Sequence, residues 1–427
     1  MQNNDNHACR EFSELSRRRF LFGSVGAMAA VAGASWLPKV AMAQGGGASR
    51  DVLIHIFLRG GIDGLSLAVP FGDPAYYRHR PTQAVPRPDS SSANRALNLD
   101  GFFGFPKAFA ALLEPYNAKQ LAVVHAVGSD NWTRSHFDAM RLVEVGLSQE
   151  PTNPTGWLGR HLATSQPILP NAKLRAASLT YGLRQTLIGG PKTLPIPDLD
   201  TFGYAGWWSN QTELANWIQA SYARGIEPTK SAASDTQATI DLLDRIDFAN
   251  YKPAGGAVYP EHWFAKSLKS TAALIKSDVG VEAIHLDLDG FDTHSEQGTT
   301  DGYLNELLTV LGDSLGAFWK DMNGSNRKNW TSVVLSEFGR TARENSSKGT
   351  DHGTANAMLV MGPNVRGKQV VSQWPGLDES QLFQGVDLTP TIDFRDVLAE
   401  IVQKRLGNQN LSTVFPAYTP TFRNIVV

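Results

Sequence analysis

The sequence predicts an α/β fold: a mainly parallel central sheet flanked by helices. Three observations predict it. Near-continuous apolar runs of strand length recur along the chain. Segments with apolar residues three and four apart lie between them. Carboxylates and imidazoles gather at the borders of those runs. A run that is apolar on successive residues is a strand covered on both faces. Alternation with helices makes crossover connections, and crossovers make parallel strands.

The N-terminus reads Ser16-Arg17-Arg18-Arg19-Phe20-Leu21, then an apolar, small-residue run from Leu21 to Leu37, then Ala41-Met42-Ala43. Paired arginines, a weakly apolar stretch and a small-x-small site are the parts of a twin-arginine signal peptide. The expectation is a signal over 1–43, a Gly-rich tether over 44–50 and one α/β domain over 51–427. The protein would then work outside the cytoplasmic membrane, in the periplasm or beyond. An uncleaved anchor is the other reading, but the run is short for a span and rich in Gly and Ala. Later stretches fall short of the ~20 apolar residues a bilayer requires, so no stable span is expected after cleavage.

Val52–Leu58 is the first expected strand, Leu121–Val127 the second and Val281–Asp287 the third. Val333–Leu335 and Met358–Met361 supply two more. Helical patterns cover about 137–146, 209–222, 234–249, 261–277, 304–318 and 393–406. The stretch 150–260 is rich in Pro, Gly and Trp and reads either as a cap or as long loops of the same domain.

Composition excludes several classes. The single cysteine, Cys9, lies in the signal, so the remainder has no disulfide, thiolate site or cysteine nucleophile. Beyond residue 43 the chain carries 34 basic and 38 acidic residues, which does not suggest a nucleic-acid surface.

In open α/β sheets ligands gather at the carboxyl ends of the strands. Five polar clusters border the expected strands: Arg59–Ser66, Trp132–Phe137, Asp289–His294, Ser336–Arg340 and Thr350–Gly353. Each alone has a plain structural reading. Asp63-Gly64 is a turn, Ser135-His136 a helix start, Glu337 an ion-pair partner of Arg340 or Arg343, and His294 and His352 core histidines. Together they place oxygen and nitrogen donors at several strand ends of one sheet. That set suits a divalent metal such as Zn²⁺, Mn²⁺ or a mixed Zn/Mg pair.

The phrases FLRGGIDGLS, TRSHFDAM, GFDTH, SEFGRT and GTDHG, behind a twin-arginine signal, resemble the bacterial family called domain of unknown function 1501. That family is similar to the alkaline phosphatase/sulfatase superfamily, whose two-metal cluster activates a Ser or Thr for phosphoryl or sulfuryl transfer. The resemblance implies an alkaline-phosphatase-like fold. It implies metal ligation by Asp63, Asp292, His294, Glu337 and His352, with Ser135 as nucleophile and Arg134 or Arg340 on the anion. Asp387-Leu388-Thr389-Pro390-Thr391 resembles the superfamily's C-terminal segment. In an alternative mapping, Asp351-His352 is the Asp-His pair and the final imidazole is missing. Phe338 stands where an imidazole is usual, and Asp292-Thr293-His294 is tightly spaced. A reduced ligand set would fit a single metal, a harder ion such as Mg²⁺ or Ca²⁺, or no catalysis.

Two function classes follow. One is an exported metal-dependent hydrolase acting on a phosphate or sulfate ester, either a small molecule or a saccharide. The other is a non-catalytic envelope protein of the same fold that binds polysaccharide or a partner protein. Gly312-Asp313-Ser314-Leu315-Gly316 imitates an esterase signature, but it lies inside the strongest helical pattern, where a nucleophile elbow cannot form.

Overall fold

The computed structural model describes residues 50–149, 155–204 and 211–427. The expected signal peptide, residues 44–49 of the expected tether, and Trp207 and Trp208 lie outside the described residues.

The apolar runs become one nine-stranded sheet. Its strands are β1 (Val52–Arg59), β2 (Leu121–Gly128), β3 (Ala176–Ser178), β4 (Thr193–Pro195), β5 (Ala283–Asp289), β6 (Trp330–Ser336), β7 (Asn356–Met361), β8 (Gln369–Val371) and β9 (Ile392–Asp393). The order is β8-β2-β7-β6-β1-β5-β3-β4, with β9 beside β2. Every pairing is parallel except those of β7, which runs antiparallel to β2 and β6. The mainly parallel sheet flanked by helices is therefore the fold. Within 150–260, β3 and β4 extend this sheet along β5.

The longer helices are α1 (His136–Val145), α2 (Trp157–Thr164), α3 (Gln211–Ala223), α4 (Thr229–Leu243), α5 (Trp263–Lys276), α6 (Tyr303–Gly324) and α7 (Phe394–Lys404). Most match the periodicity to within a few residues. The expected 234–249 helix instead begins at Thr229, directly after Pro228, which fits a helix start but not a helix interior.

Alternation along β1 divides the core. Ile54, Ile56 and Leu58 face one layer with Leu268, Leu304, Leu308, Leu311, Leu315 and Phe318 of α5 and α6. Leu53 and Phe57 face the other with Val397, Leu398 and Ile401 of α7. The α6 stripe is spaced for one helical face, and each such side chain contributes about 1.5–3 kcal/mol. Ser314 sits fully buried in that helix, which disposes of the esterase imitation.

Strand direction gathers the polar clusters. β1, β2, β5 and β6 run the same way, so the segments after them lie at one sheet edge. β7 runs oppositely, so Thr350–His352, which precede it, reach that same edge.

A pH prediction arises inside the sheet. The Ala126 amide donates to His125 Nδ1 at 2.7 Å, while His125 Nε2 donates to the Ala68 carbonyl at 2.9 Å. The ring is thus held neutral, and burial pushes its pKa down to about 4. Buried His161 is pushed down to about 3, by burial first and then by Arg175 and Arg50. Both are lowered relative to an unfolded value of about 6.5. Their contribution is therefore complete above about pH 6.5 and is lost as pH falls through the folded values. Each loss amounts to roughly 3–5 kcal/mol. Urea midpoints are expected to fall steadily from pH 6.5 to 4, and less steeply in His125→Gln. An unchanged slope in that variant contradicts the assignment.

Candidate metal centre

Three imidazoles converge on one carboxylate oxygen. His294 Nε2 lies 3.0 Å from Asp292 Oδ1, His352 Nε2 3.2 Å and His136 Nε2 3.3 Å. His352 Nε2 is also 2.9 Å from Nε2 of His136 and of His294. Zinc donors at about 2.0–2.1 Å in a tetrahedron stand roughly 3.3 Å apart. The donor atoms of His136, Asp292 and His352 all lie within 4.8 Å of one another, an arrangement able to hold a metal ion.

The outer nitrogens decide which way the lone pairs face. His136 Nδ1 donates to Glu337 Oε1 at 2.7 Å, His294 Nδ1 to Asp351 Oδ1 at 2.8 Å and His352 Nδ1 to the Arg134 carbonyl at 2.8 Å. A carbonyl only accepts, and both carboxylates are held below their usual pKa. Each neutral ring then turns a bare Nε2 toward Asp292. Lone pairs facing one another at such distances repel unless a cation lies among them. Donation of the second ring nitrogen to a carboxylate or carbonyl is the usual support of a metal-bound histidine.

Protons can supply the positive charge in place of an ion. Burial opposes charging His136, but hydrogen bonds to Asp292 and Glu337 outweigh it and push the pKa up to about 9. The Asp292 hydrogen bond leads the rise in His294. Burial of Asp292 is outweighed by the three imidazoles and Arg340, so its carboxyl is held far below the ordinary range. A centre that draws protons this way will release them on binding a metal.

Backbone geometry brings the pieces together. The Gly60 amide donates to Glu337 Oε1 at 2.9 Å. Gly60 has φ +115°, and a Cβ there would lie 2.5 Å from the Asp292 nitrogen. Gly60→Ala is therefore expected to displace Asp292 and lower metal affinity at least tenfold, with a stability loss of about 1–3 kcal/mol. Metal titration and urea unfolding check this. Phe338, the aromatic standing where an imidazole was expected, walls the site, with ring centroids 4.8 Å from His136 and 5.1 Å from His352.

The other residues singled out from sequence take distinct places. Asp63 is buried, and its carboxylate is held by other groups than the imidazoles. Arg80 grips both its oxygens, Ser66 donates to Oδ2 at 2.5 Å and Gln297 donates to it at 2.9 Å. The Gln297 carbonyl accepts from Thr293 at 2.9 Å and Thr350 at 2.7 Å. Asp63, Arg80 and Gln297 thus tie the Asp292–His294 loop to the loop carrying His352. Arg340, expected at the anion, is fully buried instead. It donates to the carbonyls of Gly60, Gly61, Phe291 and Thr350 and to Asp292 Oδ1 at 2.6 Å. Glu337 supports His136, and Asp351 supports His294. Arg134 reaches the surface, with its side chain 39% exposed. Ser135 is the N-cap of α1 with extended backbone, and its hydroxyl makes no capping bond.

His136 is the donor that the sequence reading passed over. Its signal was present: a histidine opening a helix just after a strand, beside the proposed nucleophile. The Ser-His pair reads as a helix start, and nothing local shows which of two neighbours faces inward.

Fold and site together define an α/β protein with a His/Asp cluster at the strand ends of a mainly parallel sheet. Residues 253–413 match the family model described as "Protein of unknown function (DUF1501)", which bears out the family resemblance. That segment contains Asp292, His294, Glu337 and His352. No curated protein matches the sequence. Among solved structures, the chain is similar to the C-terminal periplasmic domain of EcEptC from Escherichia coli in complex with Zn. Identity there is 12%, over 89% of this chain and 93% of that one, with a TM-score of 0.35. It is similar to a protein in the alkaline phosphatase superfamily from Vibrio parahaemolyticus, at 10% identity over 80% and 69% of the chains, TM-score 0.32. It is also similar to Ps i-CgsB in complex with k-i-k-neocarrahexaose, at 11% identity over 76% and 68%, TM-score 0.32.

Proposed function

We propose that this protein is a metal-dependent hydrolase of a phosphate or sulfate ester, exported by the twin-arginine route. The observation that carries the reading is the convergence of three imidazole Nε2 atoms on Asp292 Oδ1, with every outer nitrogen held by an acceptor.

His136, Asp292 and His352 would hold the ion, with His294 beside them. Nitrogen-rich donor sets suit zinc better than magnesium or calcium. A bound divalent ion supplies Lewis-acid charge at the mouth of the site. The chain supplies the rest. Arg134 receives the ester's peripheral oxygens with its guanidinium. The free N–H groups at the start of α1 favour negative charge beside Ser135. Ser135 Oγ attacks phosphorus or sulfur, the bond to the alcohol oxygen breaks, and the alcohol leaves carrying a proton. Water then cleaves the seryl ester and regenerates Ser135. Glu337 and Asp351 keep His136 and His294 in the donor tautomer.

Metal analysis of the purified exported protein, with turnover of nitrophenyl phosphate and nitrophenyl sulfate, tests the reading. About one ion per chain is expected. Ser135→Ala is expected to keep the ion and lose on the order of 10³-fold in kcat. His136→Ala is expected to lose the ion. Protein that binds no zinc or manganese and turns over neither ester overturns the proposal and favours the binding protein.

A further inference from the structure

The rim beside the metal centre carries two exposed side chains that the chemistry above does not fully use. Trp132 is 58% exposed, unusually so for so large an apolar group. It is nonetheless held, its ring 5.1 Å from that of Phe383 with the planes at 55°. Arg134, two residues on, is anchored by Nη2 to Asp387 Oδ2 at 2.6 Å, and Asp387 is fully buried.

Both supports stand on one turn. The Phe383 amide donates to the Asp387 carbonyl at 2.8 Å, and the Asp387 amide returns to the Phe383 carbonyl at 3.1 Å. Thr341 bridges to Asp387, and the Ala342 amide donates to the Val386 carbonyl at 3.1 Å, which fastens the turn to the segment after Arg340. From the other side, the Arg134 carbonyl is the acceptor for His352 Nδ1. The indole and the guanidinium are therefore held at a set spacing from each other and from the imidazoles. Two residues span at most about 7 Å of chain, so the backbone positions of Trp132 and Arg134 lie no farther apart than about the length of a sugar ring.

We propose that Trp132 and Arg134 form a recognition rim for an anionic saccharide ester, a sugar carrying phosphate or sulfate. The pyranose lies against the exposed indole and the anion meets the Arg134 guanidinium. An indole offers the apolar C–H face of a sugar a rigid platform with little conformational entropy to lose. The guanidinium matches a tetrahedral anion with paired donors. The inference rests on the metal-site reading for its substrate class, but it concerns binding and does not require turnover.

The test is equilibrium titration of the full exported protein, loaded with zinc, with glucose 6-phosphate, glucose 6-sulfate and methyl phosphate. Wild type is expected to prefer the two sugar esters over methyl phosphate by about tenfold. Trp132→Ala removes that preference, and Trp132→Tyr retains most of it. Phe383→Ala, which frees the indole, reduces it. Arg134→Gln weakens all three ligands. Equal affinity of wild type for sugar esters and methyl phosphate overturns the proposal, as does an undiminished preference in Trp132→Ala. Loss of nitrophenyl ester turnover with the sugar preference intact sinks the hydrolase reading alone.

Discussion

Arg340→Met is expected to destabilise the fold by about 3–5 kcal/mol and to abolish tight metal binding. The guanidinium is fully buried, so its removal takes the Arg340 donor from the carbonyls of Gly60, Gly61 and Thr350 and from the Asp292 carboxylate, while the Phe291 carbonyl keeps the Thr293 amide. Removing one partner of a buried pair strands the other's charge, and each abandoned carbonyl adds its own desolvation cost. The same carbonyls belong to Gly60, Gly61, Phe291 and Thr350, the turns that deliver Glu337, Asp292 and His352 to one place. Stability and metal binding should therefore fall together. Urea unfolding and the visible spectrum of the cobalt-substituted protein check this. A variant within 1 kcal/mol of wild type that retains the wild-type cobalt spectrum contradicts it.

The second large effect concerns Asp63. Asp63→Ala leaves Arg80 buried without its carboxylate, and about 3–5 kcal/mol should be lost. The pair also makes stability sensitive to acid. Burial of Asp63 is outweighed by Arg80, so its pKa is lowered. Its contribution is present above the unfolded value of about 3.9 and is lost as pH falls through the folded one. The double variant Asp63→Leu/Arg80→Met should recover most of the stability, because replacing both members of a buried pair by apolar groups is often near neutral. That variant separates brace from ligand. A brace predicts zinc still bound by the double variant, with affinity reduced about 10–100-fold. Absence of zinc from a folded double variant would make Asp63 a ligand. Gln297→Leu, which cuts the ties to Thr293 and Thr350, should lower zinc affinity by a similar factor while the protein stays folded.

Particular residues show how much was legible beforehand. β1, β2, β5, β6 and β7 were legible because each is apolar on successive residues, and a chain that buries both faces of a strand must be written that way. α6 was legible from one repeating stripe. β3 and β4 were not: three residues each, they are strands only because β5 offers them an edge. The site was partly legible. The clusters holding Asp292, His294, Glu337 and His352 stand at strand borders, and strand direction carried them to one edge. His136 was passed over, and the Arg80 contact of Asp63 was not foreseen, each for a physical reason. Adjacent side chains diverge, and nothing local shows that His136 rather than Ser135 meets Asp292. Asp63 meets Arg80, whose approach depends on where an unrelated loop packs.

Local periodicity, then, was enough to determine five strands of the sheet, most of the longer helices and the edge at which polar groups would collect. These depend on burial patterns that a few neighbouring residues encode. Only tertiary structure decided which donors face one another: that three imidazoles meet Asp292, that Arg340 is spent inside and that Arg134 is left outside. Such choices turn on hydrogen bonds between segments up to hundreds of residues apart, and no local pattern carries them.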